Sequence, residues 1–237
     1  VLLIAPAYDE EAKIVEVVRR ARAVPGQVID TILVVDDGSA DRTAQASRDA
    51  GARVESLGSV QGVGAAIRRG YDIARAEGFH IAVVIAGNNK DAPEEITRFL
   101  DPLCDGEYDF VIGSRYLPGG IHGGDMPAYR KFATRLHPLL TGLLCGKRIT
   151  ESTNGYRAIR VTVLDDDRID LRQSWLDRYE LEVYLLMKLL KLGYRTCEVP
   201  VSKIYPPRAI GNTKMRPVID WWRMIRPVFL VGFGLRR

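Results

Sequence analysis

The sequence has few cysteines and no long apolar segment. Its 237 residues include three Cys, which are far apart and form no C-x-x-C pair. We therefore expect neither a disulfide framework nor a zinc site, and a cytoplasmic setting is the simplest interpretation. No uncharged run approaches the roughly 18 apolar residues that a membrane span needs. Asp9, Glu10 and Glu11 stand where the apolar core of a secretory signal would lie, so no such signal is expected.

A strong excess of one charge is also missing. The chain has 34 Lys and Arg against 30 Asp and Glu, a formal net charge of +4. A total this close to neutrality does not indicate a nucleic-acid partner. Hydrophobic residues make up 46% and charged residues 27%, which is typical of a globular domain and excludes disorder, collagen and coiled coil. The three His residues are too scattered for a metal cluster.

What the sequence does contain is an alternation of short apolar segments and amphipathic helices. The pattern predicts strands at 1–5, 29–35, 53–57, 81–85 and 110–113, with helices between them. Units of this length predict an α/β fold with a mainly parallel sheet covered on both faces. Beyond residue 114 we expect a helix over 126–145 broken near Pro138, a helix over 175–192 and a strand over 195–201.

Ligands of such sheets bind at the carboxyl ends of the strands. Asp36 and Asp37 directly follow the second predicted strand. Two adjacent carboxylates are costly to bury without partners, and a ribose diol, a base N–H or a divalent metal would each serve. A turn with a helix cap, which Gly38 and Ser39 would also explain, is the alternative. The position at the sheet edge favours ligand binding.

The glycines near residue 62 need a separate explanation. Gln61-Gly62-Val63-Gly64 suggests a dinucleotide fingerprint, but Ile67 occupies the third glycine position and the segment does not follow the first strand. We therefore reject a dehydrogenase. The glycines are expected to let the start of a helix pass close to a ligand or a strand.

Several short motifs together resemble a known family. They are Pro6-Ala7-Tyr8-Asp9-Glu10-Glu11, Val34-Val35-Asp36-Asp37-Gly38-Ser39, Gly62-Val63-Gly64-Ala65-Ala66, Gly113-Ser114-Arg115-Tyr116, Asn154-Gly155-Tyr156-Arg157-Ala158, Glu198-Val199-Pro200-Val201 and Gly211-Asn212-Thr213-Lys214. In this order they resemble family 2 glycosyltransferases of the GT-A fold, an α/β Rossmann-like fold for nucleotide-diphospho-sugars. Within that family the chain is similar to the dolichol-phosphate mannose synthase group, whose members transfer a sugar from a nucleotide donor to a polyprenyl phosphate.

The resemblance implies which residues bind the nucleotide. Pro6, Tyr8 and Glu10 would hold the base and the ribose. Val35 and Asp37 would complete that pocket, with Asp37 contacting the base.

The resemblance also implies the catalytic cations. Arg115 would face the donor or acceptor phosphate, and Lys214 and Arg208 would lie over phosphates from a C-terminal loop. Fixed cations suit this chemistry because the departing nucleoside diphosphate gains negative charge in the transition state. A phosphate acceptor is already an anion at pH 7 and needs no general base, whereas a sugar hydroxyl would need one.

One departure from the family pattern concerns the metal. The family usually places a D-x-D motif after the fourth strand to hold Mg²⁺ or Mn²⁺, and here those positions read Ala86-Gly87-Asn88. A weaker metal site formed by Asn88 and Asp91 is one interpretation, because a neutral oxygen holds a hard cation less tightly than a carboxylate. Lys90 replacing part of the metal's charge is a second, and lost activity is a third. Asn88 and Lys90 are also included among the nucleotide-binding residues.

A second departure is Glu151 followed by Asn154-Gly155-Tyr156-Arg157, where the family more often has Asp and a Ser-Gly-Phe-Arg type run. We assign Glu151 no role as a base and expect it to cap the chain or to pair with Arg157.

The C-terminal segment is distinctly basic. Residues 203–237 carry eight Lys or Arg and one acid, a charge of +7, so residues 1–202 carry −3. We therefore divide the chain into a catalytic domain over 1–202 and a basic loop and amphipathic helix over 203–237. Aromatic residues flanked by Arg in 217–237 suit contact with a membrane surface, peripheral on its inner face. An ordinary helix docked on the sheet, or recognition of a soluble diphosphate, would explain them as well.

These features lead to one function and one alternative. The function is transfer of a sugar, with inversion, from a nucleotide-diphospho-sugar to a lipid phosphate. The alternative is a non-catalytic or metal-independent relative that binds nucleotide sugars without the D-x-D carboxylates.

Overall fold

The computed structural model describes residues 1–124, 126, 128–205, 216 and 218–236. The first half alternates strand and helix as predicted. Its elements are β1 (Leu2–Ala7), α1 (Glu11–Arg22), β2 (Thr31–Asp36), α2 (Thr43–Asp49), β3 (Arg53–Ser56), α3 (Val63–Ala76), β4 (Ile81–Val84), α4 (Thr97–Cys104) and β5 (Phe110–Ser114). Pro93 begins a short 3₁₀ turn, Pro93–Ile96, that leads into α4, a position at the start of a helix that suits proline.

The second half contains longer helices and shorter strands. Its elements are β6 (Ile121–Gly124), α5 (Ala128–Cys145), β7 (Arg157–Arg160), α6 (Glu180–Leu192), β8 (Thr196–Pro200), β9 (Ser202–Tyr205) and α7 (Ile219–Gly232). None of the described helices is long and apolar enough to cross a bilayer.

The main sheet has seven strands in the order β3-β2-β1-β4-β7-β5-β8. Six run in the same direction, and β7 alone runs antiparallel to its neighbours β4 and β5. The sheet is therefore mainly parallel, as predicted, but β7 was not predicted. Its four residues, Arg157-Ala158-Ile159-Arg160, neither alternate nor form an apolar run, and such a short segment gives little signal. A second, two-stranded sheet pairs β6 with β9 in parallel.

Both faces of the main sheet are covered by helices. Leu2 and Ile4 of β1 point into a core shared with α3 and α6, whereas Leu3 and Ala5 point into a second core shared with α1 and α4. All four are fully buried. Burial of one such Leu or Ile stabilises the fold by about 2 kcal/mol. A strand that is apolar on both sides therefore fits only in the interior of a sheet whose two faces are covered by helices.

The structure corrects two of the predicted helices, one at a predicted break and one at its start. α5 continues through Pro138 without a break, and Pro138 is buried within it. α6 begins at Glu180 rather than at Trp175, because the preceding residues turn toward the start of α3. There the Ala65 N–H donates a hydrogen bond of 3.0 Å to the carbonyl of Asp177.

That contact explains the glycines near residue 62. A Cβ on Gly64 would lie 2.1 Å from the Leu176 carbonyl oxygen, and one on Gly62 would lie 2.3 Å from the Asp177 carbonyl oxygen. The glycines do permit a close approach at the start of a helix, but the neighbour is the loop before α6 rather than a strand.

The C-terminal helix is docked on the body. Lys191 Nζ of α6 donates 3.0 Å to the Val231 carbonyl of α7, and His137 Nε2 of α5 lies 3.0 Å from the Met224 carbonyl. Val228 and Val231 are buried in the core that contains α6.

Candidate active site

A cavity of about 410 Å³ opens at the carboxyl ends of β1, β2, β4 and β5. The β9 strand, α5 and the start of α7 close its other side. Among its lining residues, nine are Lys or Arg and four are Asp or Glu, so positive charge dominates: Lys13, Lys90, Arg115, Arg130, Arg157, Arg178, Lys203, Arg216 and Arg223 against Glu10, Asp37, Glu182 and Asp220. Such a cavity favours anions with several charges.

Most of the predicted site residues line this cavity. They are Pro6, Tyr8, Glu10, Asp37, Asn88, Lys90 and Arg115. Val35, which was expected to complete the nucleotide pocket, does not line the cavity, because its side chain is fully buried in the core beneath. Arg208 and Lys214 lie outside the described residues.

The two adjacent carboxylates after β2 have different roles. Asp36 accepts hydrogen bonds from the Ser39 N–H at 3.2 Å and from the Ser56 hydroxyl at 2.9 Å, so it organises the turn. Asp37 lines the cavity, and its Oδ1 accepts from the Gln61 N–H at 2.7 Å while Oδ2 accepts from the Gly62 N–H at 2.9 Å. The turn explanation fits Asp36, and the cavity position fits the interpretation given to Asp37.

The segment between β1 and α1 forms the neighbouring wall. Glu10 Oε2 accepts from Lys13 Nζ at 2.9 Å, so this carboxylate is paired within the first turn of α1. Tyr8 remains 36% exposed, and the charge of Asp9 is the main cause that raises the pKa of its phenol. An exposed ring of this kind offers a flat surface for stacking.

Arg115 follows β5 and is buried with a single carboxylate. Its Nε donates 2.6 Å to Oε2 of Glu151, which is fully buried, and its Nη1 donates 3.1 Å to the Tyr205 hydroxyl. Burial alone would raise the pKa of Glu151, but the charge of Arg115 and hydrogen bonds from Thr153 outweigh it and lower that pKa. Glu151 is therefore ionised and fully engaged, which agrees with its having no role as a base.

Of the two expectations for Glu151, capping is confirmed, because its Oε1 accepts from the Ser152 N–H at 3.1 Å and the Thr153 N–H at 2.8 Å, whereas pairing with Arg157 is wrong. The Arg157 guanidinium instead donates to backbone carbonyls, with Nε at 2.6 Å from Asn154 O and Nη2 at 2.8 Å from Ser152 O. Arg157 thus holds the loop that carries Glu151 without contacting the carboxylate itself.

Lys90 has a different environment from its cationic neighbours. Its Nζ lies 5.2 Å from the centre of the Tyr205 ring, and the Arg130 guanidinium lies 5.6 Å from the same ring. Burial, together with the charges of Lys203 and Arg130, lowers the pKa of Lys90 to about 8. Within the described part of the chain no carboxylate forms an ion pair with Lys90, so its charge is available to an anion in the cavity.

The model for glycosyl transferase family 2 matches residues 2–175. The chain belongs to this family. Curated relatives agree: polyprenol monophosphomannose synthase of Mycolicibacterium smegmatis is 34% identical over 90% of this chain and 80% of the relative. Undecaprenyl-phosphate mannosyltransferase of Micrococcus luteus is 31% identical over 91% and 87% of the two chains. The motifs predicted both the family and its subgroup of polyprenyl-phosphate glycosyltransferases, and both predictions are thereby confirmed.

A solved structure shows the fold of this glycosyltransferase independently. The chain is similar, with a TM-score of 0.70 and 22% identity, to glucosyl-3-phosphoglycerate synthase of Mycobacterium tuberculosis, crystallised with Mn²⁺, UDP-glucose and phosphoglyceric acid. The match covers all of this chain and 80% of that one. The α/β fold of the GT-A type is therefore confirmed.

The glycosyltransferase offers few ligands for a metal at the D-x-D positions. Of the predicted pair, Asn88 lines the cavity, and its Oδ1 accepts from the Lys90 N–H at 3.3 Å. Asp91 is buried, and Lys203 Nζ contacts its two oxygens at 2.7 and 2.8 Å. Among the residues that the structure describes, no group of three His, Cys, Asp or Glu could hold a metal ion.

Sequence reasoning missed several residues that line the cavity, among them Arg130, Glu182, Lys203 and Tyr205. Lys203 was counted only as part of the basic tail, yet its three N–H groups contact both Asp91 oxygens and Asn154 Oδ1, which ties β9 to the loop after β4. Lys203 and Tyr205 lie on β9, which pairs with β6, and neither four-residue strand carries a strong sequence signal.

Proposed function

We propose that this glycosyltransferase transfers a sugar from a nucleotide-diphospho-sugar to a polyprenyl phosphate. The observation that carries the proposal is the cavity, with its nine cations and four acids at the carboxyl edge of the sheet. Donor diphosphate and acceptor phosphate would both bring negative charge to it. The names of the relatives from Mycolicibacterium smegmatis and Micrococcus luteus support a polyprenyl acceptor.

The proposed binding mode divides the cavity in two. The walls after β1 and β2, with Pro6, Tyr8, Glu10 and Asp37, hold the base and the ribose. The walls after β4 and β5, with Asn88, Lys90 and Arg115, hold the diphosphate. Arg208 and Lys214 are proposed to cover the phosphates from the C-terminal loop.

The proposed reaction is a single displacement at the anomeric carbon of the donor sugar. A phosphate oxygen of the acceptor forms the new bond while the bond to the diphosphate breaks on the opposite side, which inverts the configuration. The departing nucleoside diphosphate takes the electron pair, and nearby cations stabilise its charge. The acceptor is already an anion, so no proton has to be removed. Glu151 is held by Arg115 and by hydrogen bonds from residues 152 and 153, which is consistent with a reaction that needs no general base.

We further propose that fixed cations supply much of the charge that a metal provides in relatives. The Mycobacterium tuberculosis neighbour was crystallised with Mn²⁺. Here the described residues at the D-x-D positions do not fit such an ion, because Asn88 provides one neutral oxygen and Asp91 is held by Lys203. A divalent cation is therefore proposed to bind weakly or to be dispensable, with Lys90 in its place. A non-catalytic relative is not favoured, since the curated relatives are transferases.

The proposed place of action is the cytoplasmic face of the membrane that holds the lipid acceptor. Residues 217–237 are proposed to contact that surface, and residues 1–202, together with Arg208 and Lys214, to carry out the chemistry.

The test uses the whole chain, labelled UDP- and GDP-sugars and a short polyprenyl phosphate. Asp37→Asn should weaken donor binding at least about tenfold by calorimetry, because loss of a charged hydrogen-bonding partner costs about 1.5–3 kcal/mol. Asp36→Asn is the matched control, since Asp36 is adjacent and equally buried but does not line the cavity. Equal effects of the two variants would refute the assignment of Asp37.

A second arm tests Lys90. Lys90→Gln should lower turnover about 100-fold, the usual effect of removing one group that stabilises developing charge. Arg98→Gln, a change at an exposed cation, is the control. The wild type should keep most of its turnover in EDTA. Full loss of turnover in EDTA, with restoration by Mn²⁺, would contradict the substitution of metal by Lys90.

A further inference from the structure

Three cations of the active site converge on one aromatic side chain. Tyr205 of β9 lines the cavity and is only 7% exposed. The centre of its ring lies 5.2 Å from Lys90 Nζ and 5.6 Å from the Arg130 guanidinium. Its hydroxyl accepts from Arg115 Nη1 at 3.1 Å. The three cations come from separate parts of the chain, namely the loop after β4, the helix α5 and the residue after β5, and Tyr205 contacts all of them.

Cations that are brought together in this way repel one another, so their arrangement needs attractive partners. A cation is attracted to the face of an aromatic ring within about 6 Å of the ring centre, and more strongly where water is excluded. Both Lys90 and Arg130 lie within that distance of Tyr205. The hydroxyl adds an acceptor for Arg115, whose Nε donates to Glu151. Tyr205 therefore holds the three cations without neutralising them, as a carboxylate in its place would.

The strand that carries Tyr205 is fixed to the loop that carries Lys90. The Ile204 N–H donates 2.8 Å to the Lys90 carbonyl, and Lys203 forms an antiparallel bridge with Asp91. Side chains 203 and 205 lie on the same side of β9, because successive side chains of a strand alternate. With the first, β9 pairs the carboxylate of Asp91, and with the second it contacts the ammonium of Lys90.

This arrangement suits an anion with several charges. In the proposed binding mode a diphosphate lies against the walls after β4 and β5, which carry Lys90 and Arg115. Long Lys and Arg side chains lose much conformational freedom when they are ordered. A cation that is already held in place needs no reorganisation when negative charge develops beside it. A fixed set of cations therefore stabilises the transition state better than a mobile one.

We propose that Tyr205 is a positioning residue, which holds these three cations in place for the departing nucleoside diphosphate. Its ring acts on Lys90 and Arg130, and its hydroxyl acts on Arg115. The ring makes the larger contribution, because it contacts two of the cations and because Arg115 keeps Glu151 as a partner when the hydroxyl is removed. This role rests on the proposed function, and it names the residue that orients Lys90 there.

The first test compares two substitutions in the whole chain, with labelled GDP-mannose or UDP-glucose and a short polyprenyl phosphate. Tyr205→Leu should lower kcat at least about tenfold, the rate equivalent of lost cation–π contacts. The donor KM should change less than about threefold, because the charge on the diphosphate grows only as its bond to the sugar breaks. Tyr205→Phe keeps the ring and should stay within about threefold of the wild-type kcat. Equal losses in the two variants would refute the role of the ring.

The controls address folding. Tyr184→Leu is the matched variant, since Tyr184 is also a buried tyrosine but does not line the cavity, and its change should leave kcat unaltered. If Tyr205→Leu does not fold, as judged by urea denaturation, Tyr205→Met fills the space without a ring and serves the same comparison.

A double-mutant cycle measures whether the ring acts through Lys90. In a Lys90→Gln background, Tyr205→Leu should lower kcat by a further factor of at most about three, because only the contact with Arg130 remains to be lost. A further loss as large as that in the wild-type background would show that Tyr205 acts independently of Lys90 and would overturn the proposal.

Calorimetry with inorganic pyrophosphate distinguishes this proposal from the proposed function, since it requires neither donor nor acceptor. The wild type should bind pyrophosphate, Tyr205→Leu should weaken that binding at least about tenfold, and Tyr205→Phe should retain it. Binding that is absent from the wild type, or equal in all three proteins, would overturn the positioning role. The expected pattern of binding without any turnover by the wild type would support the positioning role and count against the proposed function alone.

Discussion

The two halves of the molecule distribute polar groups in opposite ways. In residues 1–113, five polar or charged residues are buried, whereas the described residues of 114–236 contain twelve. The first half buries apolar strands and exposes charges. The second half buries Arg115 with Glu151, buries Lys203 against Asp91 of the first half, and exposes large apolar side chains on α5. The sheet that forms the floor of the cavity follows simple patterning, whereas the charged walls of the cavity depart from it.

The largest expected effect comes from breaking the buried ion pair of the second half. Glu151→Gln removes the carboxylate and leaves the Arg115 guanidinium, which is 2% exposed, without its counter-charge. The free energy of unfolding should fall by about 3–5 kcal/mol, as measured by urea denaturation.

The matched control lies in the first half. Glu77→Gln breaks the exposed pair with Arg53, in which both side chains are at least 40% accessible, and should change stability very little. If both substitutions had equal effects, the contrast between buried and exposed pairs would not hold.

The next effect tests the packing of the first half on the second. Gly64→Ala would place a Cβ 2.1 Å from the Leu176 carbonyl oxygen, which is backbone and cannot rotate away. Stability should fall by about 2–3 kcal/mol, the range for overpacking. Gly58→Ala, where φ is +74° but no atom lies within 4 Å, should cost only about 1 kcal/mol. If the Gly64→Ala and Gly58→Ala variants had equal urea midpoints, α3 would not be in close contact with the loop before α6.

The smallest effect is a pH dependence in the second half. Burial lowers the pKa of His137, which lies between the Ser152 hydroxyl and the Met224 carbonyl. The unfolded chain then binds the proton more readily, so stability is complete above the ordinary pKa of about 6.5 and is lost as the pH falls below it.

The measurement compares urea midpoints at pH 7.5 and pH 5.5. The wild type should lose about 1 kcal/mol more than His137→Gln over this interval. His80→Gln, a change at an exposed histidine, should retain the full pH dependence. A wild-type midpoint that is independent of pH would exclude this role of His137.

The two halves also differ in how much of their structure could be predicted from the sequence. β1 and β4 were predicted because an uninterrupted apolar run has few other places in a soluble fold. Asp37 was placed at the site because it directly follows β2, and Tyr8 and Glu10, which follow β1, were placed there from the resemblance. β7 was missed because its four residues carry only two apolar side chains between two arginines, and its place between β4 and β5 depends on partners distant in sequence.

The remaining errors have local physical causes. Pro138 suggested a break, yet α5 continues through it, because packing against α6 and α7 maintains the helix around the missing N–H. Lys203 and Asp91 are 112 residues apart, and no local pattern indicates that they pair. Val35 was assigned to the nucleotide pocket from the resemblance, although its alternation with Val34 and Asp36 directs its side chain into the core.

The antiparallel strand β7 has a consequence for the order in which the sheet can assemble. β1, β2, β3 and β4 pair with one another using residues 2–84 alone. β5 has hydrogen-bonded neighbours only in β7 and β8, so it has no place in the sheet before residues 157–160 have been synthesised. Growing from the ribosome, the chain can therefore build early the side of the cavity that follows β1 and β2. The side that carries Arg115 must wait for contacts that close long loops, which are entropically the slowest to form.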